Sequence, residues 1–129
     1  MVPACTRFTR TRLPAMYTET SPAHRIVREL EQRDLPAPVR DTTYEPADHT
    51  FPARATLLLD NGVMGVIDDN LAGLDAGYAA DVLDFDGHGR GSERVTDHRG
   101  ILDSGVPAAA DAVEQAIRTV SARPVAAAV

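Results

Sequence analysis

The chain has 129 residues, a formal net charge of −6 and one cysteine. This length corresponds to one domain of typical size. Its apolar runs are far shorter than the roughly 18 residues that a membrane span needs, and a single cysteine excludes a disulfide scaffold. The negative charge disfavours electrostatic binding to phosphates, so we expect no direct nucleic-acid binding.

The basic residues are all of one type, and charge is unevenly distributed along the chain. All 13 basic residues are arginines, so lysine chemistry is excluded, and together with the many alanines this indicates a high-GC bacterium or its phage as the source. Residues 1–55 hold eight arginines and seven acids, whereas residues 56–129 hold five arginines and twelve acids. The second half therefore carries a charge of −7.

The chain is expected to hold one folded domain between two tails. Residues 1–20 are Arg/Thr-rich, with Arg7, Arg10 and Arg12 and no apolar signal region, which predicts a disordered tail. Translation from Met16 is an alternative start. A single α+β domain is predicted over 21–123, with a Pro-rich connector at 36–54 and a frayed C-terminal tail at 124–129. We expect the protein to be cytoplasmic.

The first predicted helix begins at Ser21-Pro22, because Ser is a good N-cap and Pro suits the first helical position. An apolar stripe follows at helical spacing, and the prolines after Asp34 end the helix. The stripe consists of Ala23, Ile26, Val27 and Leu30. The helix also carries His24, Arg25, Arg28 and Arg33, which we interpret as a solvated face.

The Pro-rich connector 36–54 is predicted to be extended or irregular, with Tyr44 and Phe51 as its anchors.

The clearest local signal follows at 55–68, where Asn61-Gly62 separates two apolar runs and predicts a β-hairpin. A two-residue loop would place Leu59 opposite Met64. The alternative, a three-residue turn with a bulge at Gly62, would shift this register.

The next segment predicts a short helix within 70–80, because Leu71, Leu74, Tyr78 and Val82 are spaced like one helix face. A second hairpin is predicted after it, from an alternating strand at 81–86 and a partner strand at 92–96. The last helix begins at Ser104 or Gly105 and ends at Pro124. Its apolar face consists of Val106, Ala110, Val113, Ile117 and Val120.

These elements predict an α+β fold: a small antiparallel sheet of two β-hairpins, with the N- and C-terminal helices packed on one face. The predicted order along the chain is α-β-β-α-β-β-α.

The loop after the alternating strand holds the densest set of metal-ligating residue types. Asp84, Asp86 and His88 lie at i, i+2 and i+4 and would share one face of an extended strand. With Glu93 and His98 they form the candidate metal site, because carboxylates and imidazole suit divalent transition metals. An EF-hand loop would explain Asp84, Asp86 and Glu93, but its first ligand position is Val82. The competing interpretation is a polar hairpin loop.

Two function classes remain open from the sequence. The favoured class is a non-enzymatic binding or regulatory protein, of phage or plasmid relation, whose acidic second half contacts a protein partner with a basic surface. The alternative is a small hydrolase that uses a divalent metal at Asp84, Asp86 and His88. No catalytic residues, cofactor or membrane association are expected for the favoured class, and a homodimer is compatible with either.

Overall fold

The first helix, α1 (Pro22–Glu31), forms where its N-cap and apolar stripe predict it. The computed structural model describes residues 21–70, 77–97 and 105–125. Ser21 caps α1, since its hydroxyl accepts a hydrogen bond from the His24 amide, and Ala23, Ile26, Val27 and Leu30 are all fully buried.

Five strands follow and pair in chain order into one antiparallel sheet. The strands are β1 (Val39–Glu45), β2 (Arg54–Leu59), β3 (Val63–Asn70), β4 (Gly77–Asp84) and β5 (Ser92–Asp97). The chain then ends in α2 (Val106–Ala122). The predicted α+β class, with an antiparallel sheet and a helix at each end, is confirmed.

Both helices pack on the same face of the sheet, where one core forms. The sheet contributes alternate residues of its strands, such as Leu57, Val63, Ile67 and Val82, all fully buried. The predicted apolar face of α2 is confirmed, with Val113 and Val120 fully buried. No helix within the described ranges is long and apolar enough to cross a membrane.

The structure adds one strand that the sequence did not predict and contradicts one predicted helix. The connector contains β1, whose Thr42 and Tyr44 pair with Leu57 and Ala55 of the neighbouring strand. The helix predicted within 70–80 is contradicted at Asn70 and at 77–80, which belong to paired strands, while residues 71–76 lie outside the described ranges. Tyr78, Ala80 and Val82 are buried at a spacing of two, and this strand period outweighs the helical one.

The register of the first predicted hairpin is that of the longer turn. The Gly62 amide donates to the Leu59 carbonyl, and Gly62 has a φ of 86°. Leu58 therefore pairs with Met64, where the two-residue loop would have paired Leu59 with it. The bulge at Gly62 shifts Met64 and Val66 to the sheet face away from the helices, because a shift of one residue exchanges the two faces of a strand.

Candidate functional site

Among the predicted metal ligands that the structure describes, Asp84 is the most buried, and it forms an ion pair with an arginine. Its side chain is 5% exposed, and one carboxylate oxygen lies 3.1 Å from Nη2 of Arg90, whose side chain is 4% exposed. The other oxygen accepts the Arg90 amide at 3.0 Å. Hydrogen bonding from that amide and the adjacent guanidinium hold the pKa of Asp84 below its ordinary value, against the effect of burial.

This ion pair organises the loop between β4 and β5. Arg90 Nη2 also donates to the Asn61 carbonyl at 2.6 Å, so the loop is tied to the β2–β3 turn. Arg123, directly after α2, donates to the Arg90 carbonyl at 2.9 Å. Two arginines therefore hold the loop in place: Arg90 binds the buried Asp84 carboxylate, and Arg123 binds a backbone carbonyl of the loop. Asp84 thus has a structural role.

The structure does not bring the other predicted ligands together with Asp84. β4 ends at Asp84, so Asp86 and His88 do not continue its face, and both are exposed. Asp86 lies 3.9 Å from Arg40, and Glu93 is paired with Arg123. His98 lies outside the described residues. Within the described ranges, no three His, Cys, Asp or Glu residues are grouped to hold a metal ion.

His24, whose imidazole is capable of acid–base or metal chemistry, lies on the buried side of α1 and not on the solvated side that the sequence predicted. It is fully buried, whereas the basic helix face was predicted to be solvated. Its Nε2 lies 2.9 Å from the Glu45 carbonyl and 3.0 Å from the Arg54 carbonyl, and its ring packs edge-on against Tyr44 at 5.3 Å. His24 therefore joins α1 to the facing ends of β1 and β2. Its spacing of three residues from Val27, a member of the apolar stripe, was the available signal.

The sheet face opposite the helices, called the open face below, is covered by neither helix. It is apolar beside the β2–β3 turn, because Leu58, Met64 and Leu83 are cross-strand neighbours on β2, β3 and β4, with Val66 next along β3 on the same face. We call these four residues the apolar row. All four are half-buried. Exposed apolar patches on soluble proteins often mark interaction sites.

One end of the open face is acidic and is continuous with a pocket of about 330 Å³. We call it the acidic end. Its lining consists of Glu45, Asp48, Phe51, Arg54 and Asp68, together with two prolines. Phe51 is 68% exposed, so it is not the anchor that the sequence predicted.

The charges of the acidic end are only partly compensated. Arg54 is bound by Asp68 through two hydrogen bonds, of 2.7 and 3.1 Å. Glu45 and Asp48 form no ion pair with any described residue. Asp48 accepts the amides of Phe51 and Thr50, each at 2.7 Å, and these hydrogen bonds lower its pKa. The pocket therefore retains two carboxylate charges beside an exposed aromatic ring.

No known protein family, curated protein or solved structure matches this chain.

Proposed function

We propose that the protein is a non-enzymatic binding or regulatory module whose acidic end receives a basic segment of a protein partner. The observation that carries this proposal is the pocket in which the exposed ring of Phe51 lies with the carboxylates of Glu45 and Asp48, neither of which forms an ion pair with a described residue. An arginine or lysine side chain suits both the carboxylates and the aromatic ring, since it forms ion pairs with carboxylates and cation–π contacts with aromatic faces.

The loop that presents Phe51 is held in place before any partner arrives. The Asp48 carboxylate accepts two amides of the loop, and the Asp48 amide donates to the Phe51 carbonyl at 3.0 Å. His24 secures the strand ends on both sides of the same loop. A preformed loop reduces the entropy that binding costs, which supports a recognition role. We place this role in the cytoplasm, where a protein with a single cysteine is suited to the reducing environment.

The experiment uses an Arg-Leu-Arg-Leu-Arg peptide as the probe and the ¹⁵N-labelled full chain as the receptor. We expect titration at low salt to shift the amide resonances of Thr50 and Phe51, and the affinity to fall as salt is added. The same peptide with citrulline in place of arginine keeps the shape but lacks the charge, and it should not bind.

A matched pair of variants locates the site. Glu45→Gln removes one charge from the pocket, whereas Asp34→Asn removes one exposed charge outside it. We expect the first to weaken peptide binding several-fold and the second to leave it within twofold. Equal losses in the two variants, or resonance shifts spread over all acidic surfaces, would show that only net charge attracts the peptide and would refute the proposed site.

A further inference from the structure

We propose that Asn61 is a site of spontaneous deamidation: the folded chain protects it, and release of the C-terminal end of α2 from the β2–β3 turn makes it reactive. The turn lies at the other end of β2 from the acidic end, so this chemistry goes beyond the proposed function and is independent of it. Asparagine is one of the thermally labile residues of proteins.

The reaction uses the backbone nitrogen that follows the asparagine. The Gly62 nitrogen attacks Cγ of Asn61, a C–N bond forms, and Nδ2 leaves as ammonia with the proton of the Gly62 amide. Water then adds to one carbonyl of the resulting cyclic imide and opens it, which gives aspartate or isoaspartate. A side chain on the following residue hinders the attack, so Asn61-Gly62 is a reactive pair and Asn70-Leu71 is a hindered one.

The turn itself requires both residues of the reactive pair. Gly62 has a φ of 86°, which favours glycine, and a Cβ there would collide with the Asp86 carboxylate. The Asn61 side chain fixes the turn, because its Oδ1 accepts the Val63 amide at 3.0 Å. The residues that shape this turn are therefore those that make it chemically labile.

The folded chain holds both reacting nitrogens. The attacking nitrogen of Gly62 donates its proton to the Leu59 carbonyl at 3.0 Å. The leaving nitrogen, Nδ2 of Asn61, donates to Oγ of Ser121 on α2 at 3.1 Å. Imide formation breaks both hydrogen bonds, so we expect the reaction to require a local opening of the turn.

The contact with Ser121 couples this opening to α2. Arg123, directly after the helix, donates to the Arg90 carbonyl at 2.9 Å, and Arg90 Nη2 donates to the Asn61 carbonyl at 2.6 Å. Detachment of the C-terminal end of α2 therefore frees Nδ2 and loosens the turn together.

The product makes a brief opening permanent. Isoaspartate adds a methylene to the main chain before Gly62, so the Gly62 amide no longer meets the Leu59 carbonyl in the geometry of this turn. The deamidated fraction, separated by its extra negative charge, should therefore have a lower urea midpoint than the unmodified chain. An equal midpoint would refute this consequence.

The main test incubates the full chain in mildly alkaline buffer, with and without urea, and follows each asparagine by peptide mass spectrometry. In urea, Asn61 should deamidate and Asn70 should not. Without urea, the reaction at Asn61 should be at least about tenfold slower, because it waits for local opening. Ser121→Ala removes the acceptor of Nδ2 and should accelerate it about fivefold in the folded chain, the value of one hydrogen bond.

Two further variants isolate the role of α2. Thr119→Ala removes a hydroxyl that hydrogen-bonds within α2, to the Gln115 carbonyl, and should leave the rate unchanged. Asp69→Ala destabilises the opposite end of β3 and should also leave it near the wild-type value. Equal acceleration by Asp69→Ala and Ser121→Ala would show that the reaction follows global unfolding and would refute the coupling to α2.

The remaining outcomes concern the site itself. A folded wild type that deamidates as fast as the chain in urea overturns the protection. Equal rates for Asn61 and Asn70 in urea overturn the assignment of Asn61 as the reactive site. A folded Ser121→Ala variant, verified by circular dichroism, that reacts like the wild type overturns the role of the Ser121 contact.

Discussion

At the scale of single residues, two glycines of the β2–β3 hairpin make a matched pair. Gly62 has a φ of 86°, and a Cβ there would collide with the Asp86 carboxylate, whereas a Cβ on Gly65 meets no atom within 4 Å. We expect Gly62→Ala to cost about 1–2 kcal/mol, the penalty for a left-handed conformation. Gly65→Ala should stabilise by about 0.5 kcal/mol, since it restricts the unfolded chain. Urea unfolding measures both, and equal effects would contradict the assigned turn.

Asp69 supports a second prediction at this scale. Its carboxylate accepts the Ala23 amide at 2.8 Å and the Ser21 hydroxyl at 3.2 Å, so it fixes the start of α1 on β3. Burial nevertheless raises the pKa of Asp69. Asp69→Asn keeps an acceptor oxygen without the buried charge, and we expect it to be at least as stable as the wild type. Asp69→Ala loses the acceptor and should cost about 1 kcal/mol. Thermal unfolding at neutral pH decides, and an Asn variant as unstable as the Ala variant would contradict this account.

At the scale of elements, the sequence predicts a helix or hairpin correctly where the spacing of apolar side chains coincides with a capping or turn residue. Both helices follow from their apolar stripes, and the β2–β3 hairpin follows from Asn61-Gly62. Strand β1 was missed because an edge strand buries only one side, and its polar residues gave no clear alternation. The pair Thr42 and Tyr44, lying between two prolines, was the signal that could have shown it.

Arg33 forms an ion-pair network between the two helices. This side chain, at the C-terminal end of α1, contacts Glu29, Asp111 and Glu114, so it joins α1 to α2. Hydrogen bonds to Asp111 and then Glu114 raise its pKa further. We expect Arg33→Met to keep the aliphatic packing but to lose up to about 1 kcal/mol, because the network is near the surface.

The measurement is the urea midpoint at low and at high salt. The difference between wild type and Arg33→Met should shrink as salt screens the network. A difference that is independent of salt would show that packing, and not charge, is what Arg33 contributes.

At the scale of the whole molecule, the apolar row could not be predicted because it is assembled by strand pairing. Leu58, Met64 and Leu83 are distant in sequence and become neighbours only through two registers. The sequence assigned the functional acidity to residues 56–129, but Glu45 and Asp48 of the acidic end precede them. Composition locates charge along the chain, whereas the sheet decides which charges share a surface.

Carboxylates whose pKa is shifted in the folded chain determine how the stability of the whole molecule depends on pH. The pKa of Asp48, Asp84 and Glu114 is lowered in the folded chain by the Phe51 amide, the Arg90 amide and Arg118, respectively. Groups of this kind stabilise the fold above their ordinary pKa values of 3.8 and 4.5, and this contribution is lost as the pH falls through the lower folded values. The raised pKa of Asp69 acts in the opposite direction, since it favours the fold at low pH.

Among the carboxylates of the described residues, these three act against Asp69, so we expect the free energy of unfolding to decrease as the pH falls below 4.5, the ordinary value for Glu114. Urea titrations at a series of pH values measure this. Glu114→Gln is the informative variant, because its stability deficit should be largest near neutral pH and should shrink as the wild-type carboxylate becomes protonated. A wild type whose stability is constant or rises through this range would show that the desolvation of Asp69 outweighs the three hydrogen-bonded carboxylates.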